Sequence, residues 1–312
     1  MPQTILDAFS AEYGVKITYL TYESQDQAAA DLKAGKVYDV VVMGSHLIPE
    51  LVSDDLLVEI DYRNAPNFKN ISANFRDLSY DPGNRYSIPY VWGTQGLLVR
   101  TDLVKKPITH WADLWDPEFK GKVVLWPIQT SLVPITLKSL GYPTNSENPQ
   151  ELEAAFQRML ALKQNAFFVS NQETTIIPVL ESGQAVLAYG WAYDALTAQG
   201  SKTPIEYILP QDGTVLWAEN YIIPANTPHK YTAELFLDFV LRPEISAQIA
   251  NETLYAVPND PAIPLMQPEV RHNPLIFPPA EALKNAEIVL PLSQAGQKRW
   301  DELWQRLITE EQ

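Results

Sequence analysis

Residues 185–195 read AVLAYGWAYDA, and the way this stretch ends decides how the rest of the chain is read. AVLAY (185–189) has the unbroken apolar character of a strand buried on both faces. It runs directly into Trp191 and then Asp194, where a strand ordinarily finishes in a turn or a solvated cap. A buried strand opening onto an indole and a carboxylate is what an α/β protein offers a ligand at a strand end. Taken alone, Asp194 reads equally as the N-cap of a helix over ALTAQ, since a short acid satisfies the free N–H groups of a first turn.

Composition narrows the classes. The chain has 312 residues, enough for one large or two ordinary domains, and is 46% hydrophobic and 20% charged, which excludes global disorder. No run approaches the ~18 apolar residues of a membrane helix. A formal charge of −15 leaves no basic stripe to neutralise phosphates, so no nucleic-acid partner is expected. There is no cysteine, and His46, His110, His229 and His272 are scattered without zinc-ligand spacing. No metal and no cofactor are expected. GxSxG, HExxH, GxxxxGK[ST] and GxGxxG are all missing, and the chain is not expected to be an enzyme.

The order of elements gives the fold class. A helix begins almost at once, with Ile5, Leu6, Phe9 and Tyr13 on one face and Gly14 as its stop. VKITYLTY (15–22) reads as a strand, 26–33 as a polar helix and VYDVVVMGS (37–45) as a second strand. This alternation predicts an α/β fold with a parallel sheet and covering helices. Further strands are expected at 94–102, after KGK (120–122), at 205–210 and at 215–226, and further helices at 111–115, 149–163, 174–182 and 231–242, the last ended by Pro243. Strands around IPYVWG (88–93) and WAENYIIPAN (217–226) are candidates to cross between two lobes.

Several stretches together carry a family resemblance: TYESQD (21–26), YDVVV (38–42), YSIPYVWGT (86–94), WADLWDPEFKGKVVL (111–125), LKSLGYPTNSENPQELEAAF (137–156), GWAYDA (190–195), LWAENYIIPAN (216–226), FVLRPEISAQIA (239–250) and the long segment 255–283 ending in NPLIFPPAEAL. The chain resembles the periplasmic spermidine- and putrescine-binding proteins of bacterial ABC transporters, extracellular solute-binding proteins of family 1. The resemblance implies a two-lobe, type II periplasmic-binding-protein fold with a hinge. Lobe one is expected over 1–92 plus 219–264, and lobe two over 93–218 plus 265–312. It implies a monomer at the cell envelope, periplasmic or lipid-anchored, that closes on a polyamine-like ligand in an interlobe cleft and docks on permease subunits.

The resemblance also assigns residues. Trp191 with Asp194 matches one aromatic-and-acid pair of the family's cleft, Trp217 with Glu219 matches a second, and Tyr255 matches a third aromatic. Ser45, in the GSH loop (44–46), and Thr130 and Ser131, in PIQTSL (127–132), fall where the family places further ligand contacts. The chemistry agrees: methylene spacers suit flat aromatic walls, and an ammonium gains from an indole face or a carboxylate. Alone, Trp217 reads as ordinary strand filler. Glu219 does not, because an acid inside an apolar strand must have a partner. Trp111, Trp115, Trp300 and Trp304 read as packing residues.

Two departures from the family pattern bear on the ligand. PIQTSL has no acid where the family carries one that binds an amine, and Gly44 and His46 stand where the spermidine type tends to have serine and tyrosine. A short diamine, a monocation or an aminocarboxylate is then an alternative, with Thr130 and Ser131 taking the carboxylate. The chain also begins after the family's opening strand, so an upstream start is expected. Three other readings are a hydrolase using Asp194 and Glu219 as paired carboxylates, a ferric site from Tyr189, Tyr193 and Tyr221, and a degenerate member with no ligand.

Overall fold

The computed structural model describes residues 1–169 and 175–309. Among them, eight strands are β1 (Val41–Gly44), β2 (Ser87–Arg100), β3 (Val123–Leu125), β4 (Ala166–Phe168), β5 (Leu187–Trp191), β6 (Ile205–Ile208), β7 (Val215–Ile222) and β8 (Glu287–Ile288). The α-helices are α1 (Gln3–Tyr13), α2 (Gln25–Lys33), α3 (Ile48–Ser53), α4 (Gln129–Ser139), α5 (Pro149–Asn165), α6 (Ile177–Glu181), α7 (Ala192–Ala198), α8 (Lys230–Val240), α9 (Pro243–Thr253), α10 (Pro268–Arg271) and α11 (Gln294–Thr309). The chain divides into two compact units, Met1–Trp92 with Ala218–Phe277, and Gly93–Trp217 with Pro278–Gln312. Strands β2 and β7 each carry residues of both.

In unit one, α1 buries Ile5, Leu6 and Phe9, as its apolar stripe requires. Phe9 packs edge-on against Phe236 and Phe239 of α8, with ring centroids 5.2 and 5.4 Å apart. Gly14 closes α1 at φ 66°, donating its N–H to the Ser10 carbonyl, a left-handed cap that suits glycine. Strand β1 runs antiparallel to the end of β7, with Val41 opposite Ile222 and Gly44 opposite Glu219. The parallel pairing expected from the helix–strand rhythm is therefore absent at this pair, because β1 takes as neighbour a strand from far along the chain.

The strand expected over 15–22 does not form. Its alternating side chains encode an extended segment, but no strand among the described residues supplies a ladder. Tyr19 and Leu20 are exposed, and the segment reaches β1 by the Tyr22 hydroxyl, which donates to the Val42 carbonyl at 3.0 Å. Residues 265–277, expected in the second lobe, belong to unit one: the Gln267 N–H donates to Asn251 Oδ1 at the end of α9, and Val270 and Ile276 are buried. Pro243 both stops α8 and starts α9, where its fixed φ and missing N–H suit a first helical position.

In unit two the expected parallel sheet is present. β3 lies parallel to β4 on one side and β5 on the other, and β5 is antiparallel to β2. Leu97 of β2 stands between Tyr189 of β5 and Ile208 of β6. The opening of β7 pairs in parallel with β8, a strand the sequence did not signal. The expected helix over 111–115 is a 3-10 turn, Trp111–Trp115. The helix expected at 174–182 is α6, and residue 174 lies outside the described residues. The Trp111, Trp115 and Trp300 indoles donate to the carbonyls of Gly213, Arg158 and Ser146, and Trp304 packs on the same core.

Candidate functional site

Unit one builds its part of the site around Glu219. The residue sits on β7 directly opposite Gly44, the last residue of β1. Ser45, buried, follows at once and opens the 3-10 turn Ser45–Leu47. Glu219 accepts one hydrogen bond among the described residues, from Gln25 Nε2 at 3.2 Å, and the Gln25 Oε1 in turn accepts the Gly44 N–H at 2.9 Å. Burial pushes the Glu219 carboxyl above its usual range, against the opposing pull of that hydrogen bond and of the Met1 amino group.

Tyr22, Tyr90 and Tyr221 lie within reach of this carboxylate's charge. Burial and the Glu219 charge push Tyr22 up to about 12, and burial first, then Glu219, raise Tyr90. The Tyr90 and Tyr221 rings lie 4.5 Å apart by centroid. Tyr255 follows Leu254, which ends α9 at φ 59°, an uncommon conformation for a leucine. That turn sets Ala256 against Trp92 as an isolated β-bridge.

A comparison with the fully buried acids of unit one shows what distinguishes the half-buried Glu219. Glu234 is held by the Asp61 N–H at 2.8 Å, Asn64 Nδ2 at 2.7 Å and the Lys230 ammonium. Asp81 is held by the backbone N–H groups of Arg85, Tyr86 and Ser87 and by the Ser87 hydroxyl. Those carboxylates are satisfied by the fold. Among the described residues Glu219 has a single neutral donor, and a half-buried carboxylate so sparsely held remains an acceptor for a donor from outside.

Unit two gathers indoles and neutral polar groups. Trp191 closes β5 opposite Gln95 of β2, so the two side chains share a face. The Trp191 ring lies 6.1 Å from that of Trp126 and 6.3 Å from that of Tyr189. Gln95 is 3% exposed and donates through Nε2 to Ser131 Oγ at 2.8 Å, while its Oε1 has no hydrogen-bond partner. Ser131 and Thr130 lie in the first turn of α4, which has no side-chain cap. Trp217 lies against Gly93, where a side-chain carbon would come within 2.6 Å of the indole. Gly93 therefore makes the room that Trp217 occupies.

Asp194 is engaged differently from Glu219. It lies at the third position of α7, 7% exposed, and its carboxylate accepts the Trp191 N–H at 2.9 Å. It caps the helix by reaching back, as the acid of a capping box does, and is not itself the N-cap. Gly190 leaves space for it, since a methyl there would come within 2.8 Å of Oδ2. Burial raises the Asp194 carboxyl. The Tyr189 hydroxyl, one of the three tyrosines of the rival ferric reading, donates to the Trp126 carbonyl at 2.7 Å. Among the described residues no group of three or more His, Asp or Glu side chains could hold a metal ion.

Gln25 and Gln95 are the site residues the sequence reading missed. Gln25 stands in TYESQD, where Ser24 caps α2 by accepting the Gln27 N–H; a long amide at the first position past a serine cap was the available signal. Nothing in the run TQGLLVRTD (94–102) sets Gln95 apart, since Thr94, Arg100, Thr101 and Asp102 are polar as well.

Comparisons with known proteins bear on the family and the fold. The bacterial extracellular solute-binding protein family model matches residues 4–278. The spermidine/putrescine-binding periplasmic protein of Escherichia coli is 35% identical over 290 residues, covering 92% of this chain and 83% of that one. The putrescine/agmatine-binding protein of Pseudomonas aeruginosa is 31% identical over 323 residues, 97% of this chain and 87% of the other. Among solved structures, the spermidine/putrescine ABC transporter substrate-binding protein PotD from Streptococcus pneumoniae superposes with TM-score 0.87 at 27% identity, covering 98% and 95% of the two chains. The fold is thus that of PotD-type periplasmic binding proteins, and the chain belongs to the bacterial extracellular solute-binding protein family.

Proposed function

We propose that this protein is the solute-binding component of an ABC importer and that its ligand is a polyamine or a related small organic cation. The observation that carries the reading is Glu219, a half-buried carboxylate with a raised pKa and, among the described residues, one neutral hydrogen-bond donor, with Tyr22 and Tyr90 within reach of its charge. An ammonium entering there gains a charge-assisted hydrogen bond and aromatic faces at once. Glu219, Tyr255 and Ser45 of unit one, with Trp191, Trp217, Thr130 and Ser131 of unit two, are the proposed ligand contacts. Asp194 acts by holding the backbone of Trp191. The names of the relatives support the ligand class and a partnership with permease subunits at the cell envelope. We further propose that the protein acts as a monomer. No helix among the described residues is long and apolar enough to cross a membrane.

A second reading rests on unit two. The first turn of α4 carries Thr130 and Ser131 with no side-chain cap, beside the Gln95 amide and without an acid. Free N–H groups at a helix start favour an anion, so the carboxylate of an aminocarboxylate would suit that turn. A thermal-shift panel of putrescine, spermidine, agmatine and 4-aminobutanoate separates the two, because a ligand that prefers the folded state raises the melting temperature. The main reading expects the amines to give the largest shifts. A shift confined to 4-aminobutanoate establishes the second reading, and no shift with any compound overturns both.

A further inference from the structure

We propose that Gln25 is a positioning residue for Glu219, holding the carboxylate ionised and aimed, and that Gly44 is its obligatory partner. This rests on the reading that Glu219 receives the ligand's ammonium. Ser24 fixes the start of α2 by accepting the Gln27 N–H at 3.1 Å, which puts Gln25 at the first helical position. From there its amide reaches both members of the opposed pair Gly44 and Glu219. The Gly44 N–H lies 2.9 Å from Oε1, and Glu219 Oε1 lies 3.2 Å from Nε2.

Chemistry admits this amide orientation alone. A backbone N–H can only donate, so the amide oxygen must face Gly44, which turns the NH2 group to the carboxylate. The orientation is thereby set by the backbone of β1. A neutral donor steadies Glu219 without neutralising it. A lysine or arginine in its place would satisfy the charge and compete with the ligand. A hydrogen bond to the ionised form also favours that form.

Gly44 makes the bridge sterically possible. Its φ of −64° is ordinary, so the glycine is there for space and not for backbone freedom. A methyl at this position would come within 2.2 Å of Gln25 Oε1 and 2.8 Å of the His46 ring. Alanine would therefore displace the Gln25 amide and undo the bridge from the other side. The charged and titratable groups coupled to Glu219 are Tyr22 from the segment after α1, Tyr90 from β2, Tyr221 two residues on in β7 and the Met1 amino group. His46, which burial keeps below its ordinary pKa, follows Gly44 in the adjoining turn.

The test needs no ligand for its first readout. The Glu219 carboxyl carbon is titrated by NMR in the wild type and in Gln25→Ala and Gly44→Ala. Both variants are expected to titrate at higher pH than the wild type; titration at the wild-type pH in Gln25→Ala overturns the proposal. The second readout is putrescine affinity by calorimetry. Gln25→Ala should weaken it about tenfold, roughly the worth of one hydrogen bond to a charged group. Gly44→Ala should do the same, and the double variant should be no worse than either single one, since both break one bridge. In a Glu219→Gln background the Gln25 substitution should change affinity less than twofold. A full tenfold loss there means that Gln25 does not act through Glu219, and overturns the proposal. If Glu219→Gln itself leaves putrescine affinity unchanged, the reading of Glu219 as the ammonium site fails, while the NMR titration still decides the role of Gln25.

Discussion

Replacing Glu219 by glutamine should weaken amine binding and leave the ligand-free protein at least as stable as before. The two effects have opposite signs because they arise from one half-buried charge. In the complex, an ammonium about 3 Å from the carboxylate in a medium of effective dielectric about 20 gains roughly 5–6 kcal/mol of gross attraction. Desolvation of both ions consumes much of it, and a net of about 1.5–3 kcal/mol is typical of a hydrogen bond to a charged group. Glu219→Gln should then raise the Kd roughly 10- to 150-fold. In the free protein the raised carboxyl means that the folded state binds more protons than the unfolded state just above the ordinary glutamate range. Ionised Glu219 therefore costs stability at neutral pH, and the neutral amide removes that cost. Glutamine also keeps an oxygen for the Gln25 NH2. Calorimetry gives the Kd and a thermal melt without ligand gives the stability. Unchanged affinity would refute the assignment. A fall in affinity matched by a fall in melting temperature would show Glu219 to be structural.

The same carboxyl sets a pH dependence. As pH falls from neutral through the raised Glu219 pKa, amine affinity should weaken, while this group's contribution to ligand-free stability improves toward the unfolded value; calorimetric titrations and melts from pH 8 to 5 read both, and a flat affinity profile contradicts the assignment. Trp191→Ala should weaken amine binding while Trp111→Ala, whose ring is fully buried and bonded to the Gly213 carbonyl, should chiefly lower the melting temperature; the reverse order would unseat Trp191. Asp194→Asn retains an acceptor for the Trp191 N–H and should change amine affinity less than about threefold, whereas Asp194→Ala loses a cap of ~1 kcal/mol and melts about 2–4 °C lower. A loss on Asp194→Asn as large as on Glu219→Gln would make Asp194 a direct ammonium ligand.

What the sequence made legible follows the strength of local patterns. The apolar stripe Ile5, Leu6, Phe9 and its glycine stop specify α1 because the information lies within one helix. The break at Pro243 is equally local. Segment 15–22 carries a strand's alternation yet forms none, since a strand exists only where a neighbour completes its ladder. The run 111–115 has a helical pattern but forms a 3-10 turn, and after Asp116, whose carboxylate accepts the Glu118 N–H, a second 3-10 turn follows at Pro117–Phe119. At the site, Glu219 stood out because an acid in an apolar strand demands a partner. The identity of that partner did not, because Gln25 and Glu219 lie 194 positions apart. Asp194 was legible as both cap and ligand; its bond to the Trp191 N–H uses the carboxylate in a way that pattern alone could not distinguish.

The measurement that tests the central claim most directly is a calorimetric titration of the ligand-free wild type with putrescine and with spermidine at neutral pH and low salt. Binding through the half-buried, sparsely held Glu219 carboxylate predicts saturable one-site heat for at least one of them, with an affinity lost on Glu219→Gln. No saturable heat for either amine up to millimolar concentration would contradict the account.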